Sequence, residues 1–119
     1  MQVRLEFPAQ PEFLRLARLA AADLGSRAGF DYVEIEDLRV AVSELCAMIS
    51  GDGPAVLTLA FTLSADAVRV DGSRPHPEVS LVADDLELAR GLVAAVVDEH
   101  DVSTDGDVAR FHLVKRRRR

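Results

Sequence analysis

The stretch from Phe30 to Ser50, FDYVEIEDLRVAVSELCAMIS, constrains the fold more than any other part of the chain. Asp31 followed three residues later by Glu34 is the spacing of a capping box, and Phe30 and Ile35 occupy the two positions of a hydrophobic staple. A helix therefore starts here. Ile35, Leu38, Val42, Leu45 and Ile49 fall within roughly 80° of one another at about 100° per residue, so they form its buried stripe. Asp37, Ala41, Glu44 and Met48 lie on a second face, where Glu44 and Met48 are neighbours one turn apart. That second face is the candidate for function.

The flanking segments supply the layers such a helix needs. Val3, Leu5 and Phe7 alternate with Gln2, Arg4 and Glu6 in a first strand closed by Pro8 and Pro11. Pro11 suits the first turn of a helix whose inner face is Phe13, Leu16, Ala17, Ala20 and Leu24, and Gly25 and Gly29 end it. Arg15, Arg18, Asp23 and Arg27 ride its outer side. After the breaker cluster Gly51 to Pro54, the alternation of Leu57, Leu59, Phe61 and Leu63 predicts a strand, and Ser64 to Asp66 turn the chain into a shorter strand through Val68 and Val70. That strand ends at Asp71-Gly72. The segment Ser73 to Ala83, with two prolines, reads as a loop placed to act as a lid.

Asp84 and Glu87 repeat the capping-box spacing, and Leu86, Ala89, Val93, Val96 and Val97 give a third helix its apolar face up to about Glu99. Strands near Asp101–Thr104 and Val108–Val114 flank the turn dipeptide Asp105-Gly106, with Ala109, Phe111 and Leu113 facing in. The element order predicts an α+β, two-layer α/β sandwich: a mostly antiparallel mixed sheet covered on one face by three helices. Residues 1–114 form one domain and residues 115–119 a basic C-terminal tail.

Charge and composition narrow the function classes. The net charge is −6, yet Lys115 to Arg119 hold five of the fourteen basic residues, so residues 1–114 carry nine basic against twenty acidic residues. An acidic body repels nucleic acid and suits a partner with a basic surface, while the tail could meet phosphates. No apolar run is long enough to span a bilayer and the N-terminus lacks a signal-peptide h-region, so a cytoplasmic location without membrane attachment is expected. The single cysteine, Cys46, is expected in the core. His76, His100 and His112 show no metal-ligand spacing, no metal site is expected, and no phosphate-binding glycine loop is present. Ser43 lies mid-helix and not on a nucleophile elbow.

The run PEFLRLARLAAADLGSRAGFDYVEIEDLRVAVSELC, the hairpin and lid after it, and the terminal VVDEH and VSTDGDVARFHLVKR segments together resemble the anti-sigma factor serine kinases of the RsbW type. These belong to the histidine-kinase-like (GHKL, Bergerat-fold) ATPases. The resemblance implies binding of a sigma factor, or of an anti-sigma antagonist of the STAS type, and implies a homodimer. It also implies a Glu-x-x-x-Asn motif on the second helix, in which Glu44 matches a general base while Met48 stands where a magnesium-binding asparagine belongs. A thioether does not replace an oxygen ligand for a hard cation. The Asp-x-Gly-x-Gly motif is represented by Asp71, Gly72 and Ser73, continuing to Pro75, with Asp71 placed for adenine and Ser73 and Pro75 on the glycine positions. A third, glycine-containing motif at the last helix falls on Glu87 and Ala89, or in an alternative alignment on Gly91-Leu92. The expectation is thus a regulatory binding protein with a vestigial nucleotide pocket, needing no cofactor, with ATP and magnesium as the alternative. Two rival readings are an active serine kinase using Glu44 and a nucleic-acid accessory domain acting through Lys115 to Arg119.

Overall fold

A computed structural model describes residues 1–51, 54–75 and 83–118, with the side chains of 83–86 outside the description. Strand β1 spans Gln2–Pro8, and a 3-10 turn, Pro11–Phe13, leads into α1, Leu14–Arg27. Helix α2 spans Tyr32–Ile49, followed by the hairpin of β2 (Val56–Leu63) and β3 (Ala67–Pro75). Helix α3 spans Ala83–Val96, and a second hairpin joins β4 (Glu99–Asp105) to β5 (Val108–Arg116). The five strands form one sheet in the order β1-β2-β3-β5-β4, and all four pairings are antiparallel. The architecture is the expected α+β sandwich of one sheet with the helices packed on one face.

The join between α1 and α2 shows why these residues stop one helix and start the next. Gly29 takes φ 86°, the left-handed conformation that side chains resist. The Phe30 amide donates to Gly25 O over 3.0 Å and the Gly29 amide to Ser26 O over 3.1 Å, which together make a Schellman ending. One residue later the capping box begins. The Glu34 amide donates to Asp31 Oδ1 over 2.8 Å, and the Asp31 amide donates to Glu34 Oε1 over 2.9 Å. Phe30 thus closes α1 and opens α2. Gly25 lies where its neighbours converge: a Cβ there would sit 3.4 Å from both Ile35 Cγ1 and Leu38 Cδ2 and 3.5 Å from Phe30 Cδ2.

The core lies between the helices and the inner face of the sheet. Leu38, Val42, Leu45, Cys46 and Ile49 from α2 are fully buried, as are Leu57, Leu59 and Phe61 of β2, Val68 and Val70 of β3, and Leu113 of β5. Each large aliphatic side chain buried this way contributes about 1.5–3 kcal/mol. Burial pushes the Cys46 thiol up, so it stays protonated.

Several boundaries differ from the sequence expectation. Helix α1 continues through Gly25 to Arg27, and its buried face is Leu14, Ala17, Ala21 and Leu24, while Leu16 is exposed. Entry through a 3-10 turn, with fewer residues per turn than an α-helix, shifts the phase of that face. Strand β3 runs on through Ser73, Arg74 and Pro75, which shortens the expected lid. Helix α3 stops at Val96 because the Asp98 amide donates to Val114 O over 2.9 Å, already a sheet contact. His100 consequently lies in β4 and not at a helix end. The basic run expected as a tail is woven into the fold: Lys115 and Arg116 belong to β5, and the Arg117 amide donates to Asp66 O. His76 and the rest of the expected lid up to Val82, and the side chains of Asp84 and Leu86, lie outside the described residues.

Candidate functional site

Because the sheet has one covered face, the alternation along each strand decides which side every polar residue joins. Val68, Val70, Gly72 and Arg74 of β3 point to the helices; Val68 and Val70 are fully buried and Arg74 is buried to 1% exposure. Arg69, Asp71 and Ser73 point the other way. Asp71 is clasped by Arg69, whose Nε and Nη2 donate to its two carboxylate oxygens over 2.9 and 3.0 Å. In register across the open face run Arg4, Ala60, Asp71, His112 and Asp101, one from each strand. With Ser73, Ser103 and Arg110 they line a polar depression of about 420 Å³. Among the described residues no group of three or more His, Cys, Asp or Glu side chains converges in a metal-binding arrangement.

Glu44 and Met48 are brought together on the helical side. They line a groove of about 510 Å³ with Ala47 of α2 and Leu88, Ala89 and Leu92 of α3. The groove continues past Glu44 and Leu92 into a second hollow of about 250 Å³, lined also by Arg18, Glu36, Arg39, Val40 and Ser43. Its polar groups are mostly engaged with each other. Arg39 Nη1 donates to Glu36 Oε1 over 2.9 Å, one helical turn away, and Arg18 Nη1 donates to Ser43 Oγ over 3.1 Å, tying α1 to α2. Among the described residues Glu44 makes neither a hydrogen bond nor an ion pair.

The five candidate residues therefore separate into two sites. Glu44 and Met48 share the groove, whereas Asp71 and Ser73 face the opposite side of the sheet, and Gly72 is sealed beneath the Phe111 ring. A Cβ on Gly72 would lie 2.2 Å from Phe111 Cε2, so the glycine there serves close packing and not a phosphate. The alternation of Val68 and Val70 already carried this signal, since it puts Asp71 out of phase with the inward residues. On the helical face the three residues spaced as in Asp-x-Gly-x-Gly are Val70, Gly72 and Arg74, with an apolar side chain and a guanidinium where the motif has a carboxylate and its second glycine. At Gly91, the alternative glycine of the third motif, a Cβ would meet nothing within 4 Å among the described residues.

The other members of the second face of α2 have structural roles. Ala41 is fully buried. Asp37 meets Lys115, whose Nζ lies 3.4 Å from Asp37 Oδ2 and donates to Val96 O over 2.8 Å. Lys115 thus ties β5 to α2 and to the C-terminal carbonyls of α3, where positive charge is favoured. Glu34, almost fully buried, uses its second oxygen to accept the Arg118 amide. Leu88, Leu92 and Arg18 are site residues that the helical stripes did not single out. Leu88 and Leu92 are one turn apart and off the inward stripe of α3, which is the pattern that marks them.

No family model matches the chain. Among curated proteins, the serine-protein kinase RsbW of Listeria monocytogenes serotype 4a (strain HCC23) is 35% identical over 74 residues, covering 58% of this chain and 47% of the relative. Serine-protein kinase RsbW of Bacillus subtilis (strain 168) is 48% identical over 44 residues, 37% of this chain and 28% of the relative. That of Bacillus pumilus (strain SAFR-032) is 46% identical over 44 residues, 37% of this chain and 27% of the relative. The chain thus spans less than half the length of these curated relatives.

Proposed function

The chain being a relative of the RsbW-type serine-protein kinases, we propose that it is a regulatory binding protein of the anti-sigma type, which holds a sigma factor or a STAS-type antagonist without hydrolysing ATP. The observation that carries this reading is the make-up of the helical face. Met48 puts a thioether beside Glu44, and Val70 and Arg74 line the same side of the sheet. Magnesium takes oxygen ligands in near-octahedral geometry, and in the groove beside Met48 this side offers the half-buried carboxylate of Glu44 among apolar neighbours. The donor set does not fit a magnesium nucleotide. It does fit a protein surface, with an apolar groove set in an acidic body.

Among the described residues no helix is long and apolar enough to cross a membrane. The reading of the C-terminal arginines as a nucleic-acid arm is weakened by Lys115, which is buried against Asp37, and by Arg116, which pairs with Glu99 over 2.7 Å. The retained Glu44 favours the kinase reading, and one experiment separates the two. Purified sigma factors and STAS proteins are passed over the immobilised chain with and without Mg-ATP, and phosphate transfer is followed in parallel. Retention that is indifferent to Mg-ATP and weakens as salt rises supports the proposal. Phosphorylation of a STAS protein that disappears in Glu44→Ala would establish the kinase instead, and failure to retain any sigma factor or STAS protein would remove the anti-sigma reading.

A further inference from the structure

Leu88, Leu92 and Val40 are 76%, 44% and 38% exposed, and all three border the groove along α2. Large apolar side chains this exposed, gathered on one surface, mark a place that something else covers. From Glu36 to Met48 the groove follows α2 for about 18 Å at the rise of an α-helix, with Val40, Ser43 and Ala47 repeating at helical spacing along its floor. Leu88 and Leu92 form a ridge on its α3 side, and Arg18 closes it on the α1 side. A trough of this length bordered by helical ridges has the shape that accepts another helix.

The charges specify which helix. Glu36 and Arg39 neutralise each other, and Arg18 is turned toward Ser43. Glu44, at the point where the two halves of the groove meet, pairs with no cation among the described residues. A half-buried carboxylate beside apolar side chains is stabilised by a partner that brings positive charge as it excludes water.

We infer that the α2–α3 groove receives an amphipathic α-helix of a partner protein, with an apolar stripe against Val40, Ala47, Leu88 and Leu92 and a lysine or arginine over Glu44. The inference deepens the binding reading above, and rests on it for the existence of a protein partner. Glu44 is then a specificity-determining residue: its charge selects among helices whose apolar stripes are alike.

The test uses the full chain and two hydrocarbon-stapled model helices of about four turns, identical in their leucine stripe and differing in one position beside it, lysine in one and glutamate in the other. Fluorescence anisotropy reads binding, and far-UV circular dichroism confirms that each variant is folded. The lysine helix is expected to bind the wild type at least about tenfold more tightly than the glutamate helix, and Glu44→Lys is expected to reverse that order. The pair Leu88→Asp and Leu92→Asp is expected to abolish binding of both. Equal binding of the two helices, no reversal in Glu44→Lys, or binding that survives the two aspartates would overturn the inference. So would a concentration-dependent dimer lost with those aspartates, which would assign the groove to a second copy. Sigma-factor retention that survives the two aspartates leaves the anti-sigma reading standing and overturns the groove assignment. A charge-reversing groove in a protein that retains no sigma factor or STAS protein does the opposite.

Discussion

Asp71 and Glu44 lie on opposite sides of the sheet, Asp71 on its open face in a clasp with Arg69 and Glu44 in the groove between α2 and α3. Two carboxylates that a shared nucleotide would need on one side of the sheet are divided by it. The groove and the open face must therefore answer separately to mutation, and the relative positions of Val70, Gly72 and Arg74 decide what the helical side can hold.

Restoring a magnesium ligand alone should not restore nucleotide binding. Met48→Asn supplies an amide oxygen beside Glu44, but Val70 and Arg74 still occupy the facing strand. Calorimetric titration with Mg-ATP is expected to give no saturable heat in either the wild type or Met48→Asn. A saturable isotherm in the single variant would show that the strand residues do not matter.

Gly72→Ala tests the packing of β3 against β5. The added methyl would meet Phe111 Cε2, Cζ and Cδ2 at 2.2 to 2.8 Å, so the ring or the strand must shift. The expected loss is about 2 kcal/mol, within the range for overpacked cores, read as a lowered urea midpoint. An unchanged midpoint would mean the ring moves freely and the seal under Phe111 is loose.

Lys115 and Arg116 are adjacent in the basic run and should behave differently. The Lys115 side chain is 5% exposed, and Lys115→Ala leaves Asp37, 22% exposed, without its cation and Val96 O without its donor. A loss of about 3 kcal/mol is expected, with Lys115→Met losing less because its stem keeps the packing. Arg116→Ala, at an exposed pair with Glu99, should leave the midpoint within experimental error. Equal small effects would return Lys115 to the status of a tail residue.

His100 gives stability a pH dependence of known sign. Burial holds its pKa below the usual 6.5, Arg90 and His112 act in the same direction, and Asp101 opposes them. The unfolded chain therefore binds this proton more readily than the folded one. The contribution of neutral His100 is present above about pH 6.5 and is lost as pH falls below that value toward its lower folded pKa. Urea midpoints at pH 7.5 and 5.5 should differ less in His100→Gln than in the wild type. A larger difference in the variant would contradict the direction of the shift.

Much of the fold was legible because its determinants are local. The Asp31–Glu34 capping box formed as its spacing implied, and so did the hairpin at Asp105-Gly106, where Gly106 takes φ 60°. The stripe of Leu38, Val42, Leu45 and Ile49 is buried as its periodicity required. The candidate site was half legible. Glu44 and Met48 share a surface because one helical turn separates them, whereas the motif resemblance puts Asp71 in the same site against the period-two alternation of its own strand. Phase errors arose where geometry departed from the ideal repeat, as at the 3-10 entry to α1 that left Leu16 exposed. The same alternation, continued from Ala109, Phe111 and Leu113, already pointed Lys115 inward.

Caps, turns and the faces of individual helices and strands are written in neighbouring residues, since their hydrogen bonds and side-chain periods span a few positions. Lys115 reaches Asp37 across 78 residues and Arg118 reaches Glu34 across 84, contacts that exist only once the sheet has closed and the helices have docked on it. The same holds for the groove. Glu44 finds no partner among the described residues, and Leu88 and Leu92 are exposed beside it, because α3 packs along α2 at one particular offset, which no local pattern in either helix sets.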